Sequence, residues 1–184
     1  MSAAAPNTPT RRGNPWRIPV WTTAAGLLLL PAIAMQFTDE VDWTAGDFVV
    51  MGVMLGTCCL VYELGARLSG HWAYRAGFGV AIAAGFLMTW INLAVGIVGN
   101  ENNPVNQLFF GILMVGAIAA AIGRFRPQGM ARAMVATALA QAAVMAWIAL
   151  AGHGYVVVLS GFFIAAWLSA AHLFRTAAET THAP

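Results

Sequence analysis

Six apolar stretches, each near the length of a membrane crossing, leave this chain few ways to fold. They run over 18–37, 46–66, 73–98, 105–123, 130–151 and 156–174. A hydrocarbon core about 30 Å thick takes about 20 residues of helix at a rise of about 1.5 Å. Short polar breaks separate them: TDEVDW, RLSGH, GNENNP, RFRPQG and GHG. Connections this short make neighbours antiparallel. The sequence therefore predicts an all-α, integral membrane bundle of six transmembrane helices, running up and down over residues 18–175. The first 17 residues are rich in Ala, Pro, Thr and Asn, and with 176–184 they read as disordered cytoplasmic tails.

Composition excludes the soluble alternatives. Of 184 residues, 60% are apolar and 9% charged, against about 25% charged in soluble domains. One globular core could not hide that much apolar surface. Soluble enzymes and nucleic-acid binders fall away. All nine basic residues are Arg, so no lysine is present to form a Schiff base with retinal or pyridoxal. The two cysteines, Cys58 and Cys59, are adjacent, a spacing that rarely fits disulfide geometry. No CxxC, HExxH, GxSxG or glycine-rich phosphate loop occurs. The expectation is a protein that is not an enzyme and carries no cofactor.

Orientation is written in the arginines. Arg11, Arg12 and Arg17 precede span 1, Arg67 and Arg75 flank the turn after span 2, Arg124, Arg126 and Arg132 flank that after span 4, and Arg175 follows span 6. All fall on one side. The other side carries Asp39, Glu40, Asp42 and Glu101, with Asp47 just inside span 2. Positive charge stays in the cytoplasm, so both termini are expected inside (N-in/C-in). One alternative remains open: Ala32-Ile33-Ala34 after an apolar run resembles a signal-peptide cleavage site, which would leave five spans.

Lipid gives helices no hydrophobic reason to associate, so small residues must let backbones approach. Such stripes stand at Gly52/Gly56, Gly77/Ala81/Gly85, Ala138/Ala142/Ala146 and Gly161/Ala165/Ser169. An offset of 57 aligns Arg67, Arg75, Trp90 and Ile91 with Arg124, Arg132, Trp147 and Ile148. That would make spans 2–3 and 4–5 a parallel repeat. Arg and Trp recur at the membrane boundary of any helical hairpin, which is the plainer account.

Polar residues collect toward the outer face. Asp47, Asn92, Glu101, Asn103 and Asn106 form the candidate ligand-binding set, because carboxylates and amide oxygens suit cations or protons. Asp47, Asn92 and Asn106 are expected to approach one another. The competing reading makes the Asp and Asn residues helix caps and the loop acidic only because Arg is excluded there. Two buried polar residues stand apart. Glu63 precedes Arg67 by one turn, an ordinary ion-pair spacing. Gln141 lies mid-span, where an amide is expected to hydrogen-bond across a helix interface. The Asp47, Met51, Met54 and Cys58 stripe offers soft ligands, but methionine packs routinely, so the metal is unknown.

The stretches FTDEVDWTAGDF (37–48), WINLAVGIVGNENNP (90–104) and FRPQGMARA (125–133) resemble a group of small bacterial multi-pass membrane proteins without an assigned activity. The resemblance implies the bacterial inner membrane and no mechanism. Two functions follow as expectations: a small binding or transport module for a cation, proton or small solute at the outer site, or a non-catalytic accessory subunit of a larger complex. Partners would be the lipid bilayer, other membrane subunits or a second copy; none is a nucleic acid. Reporter fusions at Thr38 and His153 are expected to read external, and those at Ser69 and Gln128 cytoplasmic. An external N-terminus on the intact chain would overturn the six-span arrangement.

Overall fold

The computed structural model describes residues 17–152 and 156–180. The tail expected before residue 17, His153 and the last four residues lie outside that range. All regular structure among the described residues is helical: α1 (Arg17–Ala34), α2 (Ala45–Leu68), α3 (Trp72–Ala94), α4 (Gln107–Ile122), α5 (Pro127–Leu150) and α6 (Val156–Thr180). A short 3₁₀ turn, Pro104–Asn106, leads into α4. With that turn counted into α4, all six helices are long and apolar enough to cross a membrane, as a multi-pass membrane protein requires.

Most boundaries follow local chemistry. Thr44 starts α2: its hydroxyl accepts from Asp47 N while the Asp47 carboxylate accepts from Thr44 N, a reciprocal capping box. Pro127 opens α5, where its missing N–H has no cost. Two ends differ from the sequence expectation. Span 3 was expected to reach residue 98, but α3 stops at Ala94 because Gly96 turns the chain at φ +74°. Conversely, α6 runs on to Thr180, whose hydroxyl meets His71 Nε2 at 2.9 Å and ties the end of α6 to the start of α3.

Packing is uneven. α5 and α6 share the most extensive interface, α3 lies on the other side of α6, and α4 on the other side of α5. α3 and α4 meet only sparsely. α2 leans on α3, and α1 rests against α2 without burying any residue. The core is therefore the four-helix unit α3–α6, built on Tyr74, Met88, Phe109, Phe163 and Phe174. Tyr74, Phe78 and Phe174 form an aromatic cluster with centroids 5.2–6.3 Å apart. The Tyr74 hydroxyl donates to Phe125 O at 2.7 Å, pinning the α4–α5 turn to α3.

That turn sets the two hairpins apart. Arg124 and Phe125 both sit at positive φ, 52° and 55°, a conformation unfavourable for non-glycine residues. It is held by Gly123 and Gly129, which approach so closely that a Cβ on Gly123 would stand 2.7 Å from Gly129 Cα. The α2–α3 turn is instead extended at Ser69 and His71. The two hairpins do not share a turn, so the 57-residue offset finds no support in them.

The small-residue stripes divide into those that pack and those that do not. A Cβ on Gly77 would meet Ala170 O and Leu173 Cβ at 3.2 Å, so α3 and α6 touch backbone to backbone there. Gly116 is tighter still, where a Cβ would stand 2.7 Å from Thr137 Oγ1 of α5. By contrast, Gly56 and Gly161 have nothing within 4 Å, and Ala165 and Ser169 are exposed. Gly52 reaches only Leu28 of α1, at 3.8 Å. The expectation that Gly52 and Gly56 contact another helix holds for Gly52 alone, against α1; a Cβ on half-buried Gly56 would meet nothing. Gly77→Leu should lower stability by about 1–3 kcal/mol through overpacking, whereas Gly56→Leu should leave it within about 0.5 kcal/mol. Thermal unfolding of the purified variants in mild detergent checks both.

Candidate functional site

The polar group expected at the outer face assembles around Asn106. The segment after α3, residues 95–103, is not helical, and its backbone groups need partners near a low-dielectric region. Asn106 supplies them. Its Oδ1 accepts from Ile97 N at 3.1 Å and Val98 N at 2.8 Å, and its Nδ2 donates to Val98 O at 3.3 Å and Asn100 O at 2.7 Å. Asn92, at the end of α3, donates through Nδ2 to Asn106 O at 2.9 Å. Ile97 and Val98 are thereby drawn into the core. The loop also needs Gly96, since a Cβ there would strike the Asn100 backbone.

The other candidates take local roles. Asn103 caps the 3₁₀ turn, its Oδ1 accepting from Val105 N at 3.0 Å. Glu101 is exposed and accepts from Asn102 Nδ2 at 3.1 Å. Asp47 is exposed too, and its carboxylate takes the Thr44 N–H at 2.7 Å and the Thr44 hydroxyl at 2.8 Å. The hydrogen bonds of Asp47 run to Thr44 rather than to either asparagine. Of the expected trio, the fold joins Asn92 and Asn106 and leaves Asp47 as a cap.

Glu63 forms the expected pair with Arg67, at 2.7 Å, and a longer one with Arg17, at 3.6 Å. Its side chain is only 12% exposed. Glu63 thus links the first turn of α1 to α2, helped by a weak approach of Cys59 Sγ to Val20 O at 3.9 Å. Among the described residues, no three of His, Cys, Asp and Glu gather as a metal site.

The deep interior departs most from expectation. Gln141 is fully buried, yet neither amide atom has a hydrogen-bond partner. The expected bond across the helix interface is not formed. Neighbouring helices consume their backbone groups in their own ladders, leaving little for an inward amide to bind. Three more buried atoms are unpartnered: Asn92 Oδ1, Ser160 Oγ and Trp167 Nε1. Ser160 and Trp167 were not singled out from the sequence. The available signal was position: Trp167 sits deep in α6, away from the boundary where tryptophan usually collects.

Comparison with protein-family models, with curated proteins and with solved structures finds no match to this chain. The Asn92–Asn106 group has a clear test of its structural weight. Asn106→Ala removes the acceptor of two buried N–H groups, each worth about 1–3 kcal/mol when orphaned, so a loss of about 2–6 kcal/mol is expected. Glu101→Gln should fall within about 0.5 kcal/mol of wild type. Denaturant titration in detergent measures both.

Proposed function

We propose that this multi-pass membrane protein is a non-catalytic binding module of the bacterial inner membrane, both termini cytoplasmic, whose ligand meets polar groups inside the bundle. One observation carries the reading. The polar side chains of the outer face are largely engaged in caps and turns, while Gln141, Ser160, Trp167 and Asn92 present buried atoms without partners. Each such atom costs about 1–3 kcal/mol if it stays unpaired, and buried orphans in a native fold call for an occupant. The outer candidate set (Asp47, Asn92, Glu101, Asn103 and Asn106) enters this reading through Asn92 Oδ1, a buried acceptor suited to a cation or a donor-bearing solute. A passage role for protons or cations would run from there.

An accessory-subunit role is the second reading. It is favoured by α1, which buries no residue, and by α2, whose Val49, Val53, Leu60 and Leu64 are exposed. Either a partner helix or lipid chains would suit such a face.

Purification from native membranes in mild detergent, followed by mass spectrometry of proteins and small molecules, separates the readings. A small molecule retained near one to one is expected. A stoichiometric protein partner without any retained molecule would replace the binding module with the accessory subunit. In proteoliposomes, Asp47→Asn is expected to leave cation and proton flux unchanged, because Asp47 is held in its cap. A loss of flux would return Asp47 to the site.

A further inference from the structure

Two cavities meet at the Arg-rich end of the bundle. One, about 380 Å³, is bounded by Tyr62, Gly70, Trp72, Arg75 and Val80. The other, about 460 Å³, is an apolar groove walled by α1, α2 and α3. Tyr62 and Gly79 border both. From that neck the groove runs inward along each helix, from Val20 to Leu27 on α1, Tyr62 to Leu55 on α2 and Gly79 to Phe86 on α3. Those steps are about 10 Å at helical rise. α1 closes one side without burying any residue of its own.

The polar end is built on Arg75, half-buried in the first turn of α3. Its Nε donates to Ser69 O at 3.0 Å, which holds the guanidinium in place. Arg17 and Arg67 share Glu63, whereas Arg75 has no carboxylate partner among the described residues. Its two terminal nitrogens are left for an outside acceptor. The Tyr62 hydroxyl likewise makes no hydrogen bond among the described residues. Trp72 is exposed at the rim, where an indole suits the membrane boundary. No acidic side chain lines either cavity.

We propose that these joined cavities hold one anionic phospholipid. Its phosphate accepts charge-assisted hydrogen bonds from Arg75 and a further one from Tyr62, and one acyl chain lies in the groove beneath α1. Charge selects the head: the ammonium of a zwitterionic lipid would find no carboxylate in the lining, while a net negative head meets an unpaired Arg. Shape selects the rest, because a free anion would leave the groove bare and an uncharged chain would leave Arg75 unpaired. The site uses none of the buried orphan atoms and is independent of the binding-module reading.

The test is native mass spectrometry of the full chain in mild detergent, titrated with dioleoyl phosphatidylglycerol or dioleoyl phosphatidylcholine. One phosphatidylglycerol is expected to be retained, about tenfold more tightly than phosphatidylcholine, the effect of about one hydrogen bond to a charged group. Arg75→Gln should erase that preference. Arg175→Gln, which removes an equal charge at an exposed site on the same end, should keep it. Gly79→Leu should weaken retention of both lipids, since a Cβ there would already stand 3.6 Å from the Tyr62 ring at the neck. Tyr62→Phe guards against a folding defect at Arg75: it removes a hydroxyl with no protein partner, so it should melt like wild type in lipid-free detergent and still hold phosphatidylglycerol more weakly. Equal retention of the two lipids overturns the proposal. So does an equal loss in Arg75→Gln and Arg175→Gln, which would mean diffuse surface charge. Displacement of the lipid by inorganic phosphate would make this a free-anion site, and displacement by oleate a fatty-acid site; either result also overturns it.

Discussion

Every backbone N–H and C=O within the hydrocarbon layer must find a partner inside the protein. That constraint makes six helices of a chain with six apolar stretches, and it reappears wherever a helix stops. The break after Ala94 is the clearest case. There Asn106 does what a helical ladder does elsewhere, with four hydrogen bonds to the backbone of residues 97–100. Thr44 and Asp47 solve the same problem at the start of α2, and the Tyr74 hydroxyl solves part of it at the α4–α5 turn. The polar residues at the α3–α4 connection and at the start of α2 are in large part the completion of the backbone's hydrogen bonding.

With those side chains engaged, attention moves inward. A helix interface in lipid is held by close contact, as at Gly77 against Ala170 and Gly116 against Thr137. Contacts this close need small or apolar neighbours, so a buried amide such as Gln141 meets no ready partner. The loose α3–α4 contact then gives the same region an opening, with Trp167 at its wall. Tight and loose interfaces in one bundle together leave an apolar cleft beside α3.

The helices at the start of the chain stand apart from this core. Glu63 joins α2 to α1 through Arg17 and pairs with Arg67 on its own helix, near the Arg-rich end of the bundle. Otherwise α1 has no buried residue. Its attachment is thus the weakest in the protein, and α2 forms one wall of the apolar cleft while also carrying α1.

The sequence by itself determined the six helices and the Glu63–Arg67 pair, and it offered a helix cap as one of two readings of Asp47. These depend on apolar run length and on spacings of three or four residues, all local quantities. It also marked Asn92 and Asn106 as belonging together. It did not determine that α3 ends at Ala94, because the apolar Val95, Ile97 and Val98 look like more helix until Asn106 satisfies their backbone from across the turn. Nor did it separate Gly77 and Gly116, which pack, from Gly56 and Gly161, which do not. Lipid is as apolar as a helix interface, so a face turned outward and a face turned inward carry the same residues. Only the tertiary structure decided which stripes meet, where α3 and α4 part, and that Gln141 and Trp167 lie buried without partners.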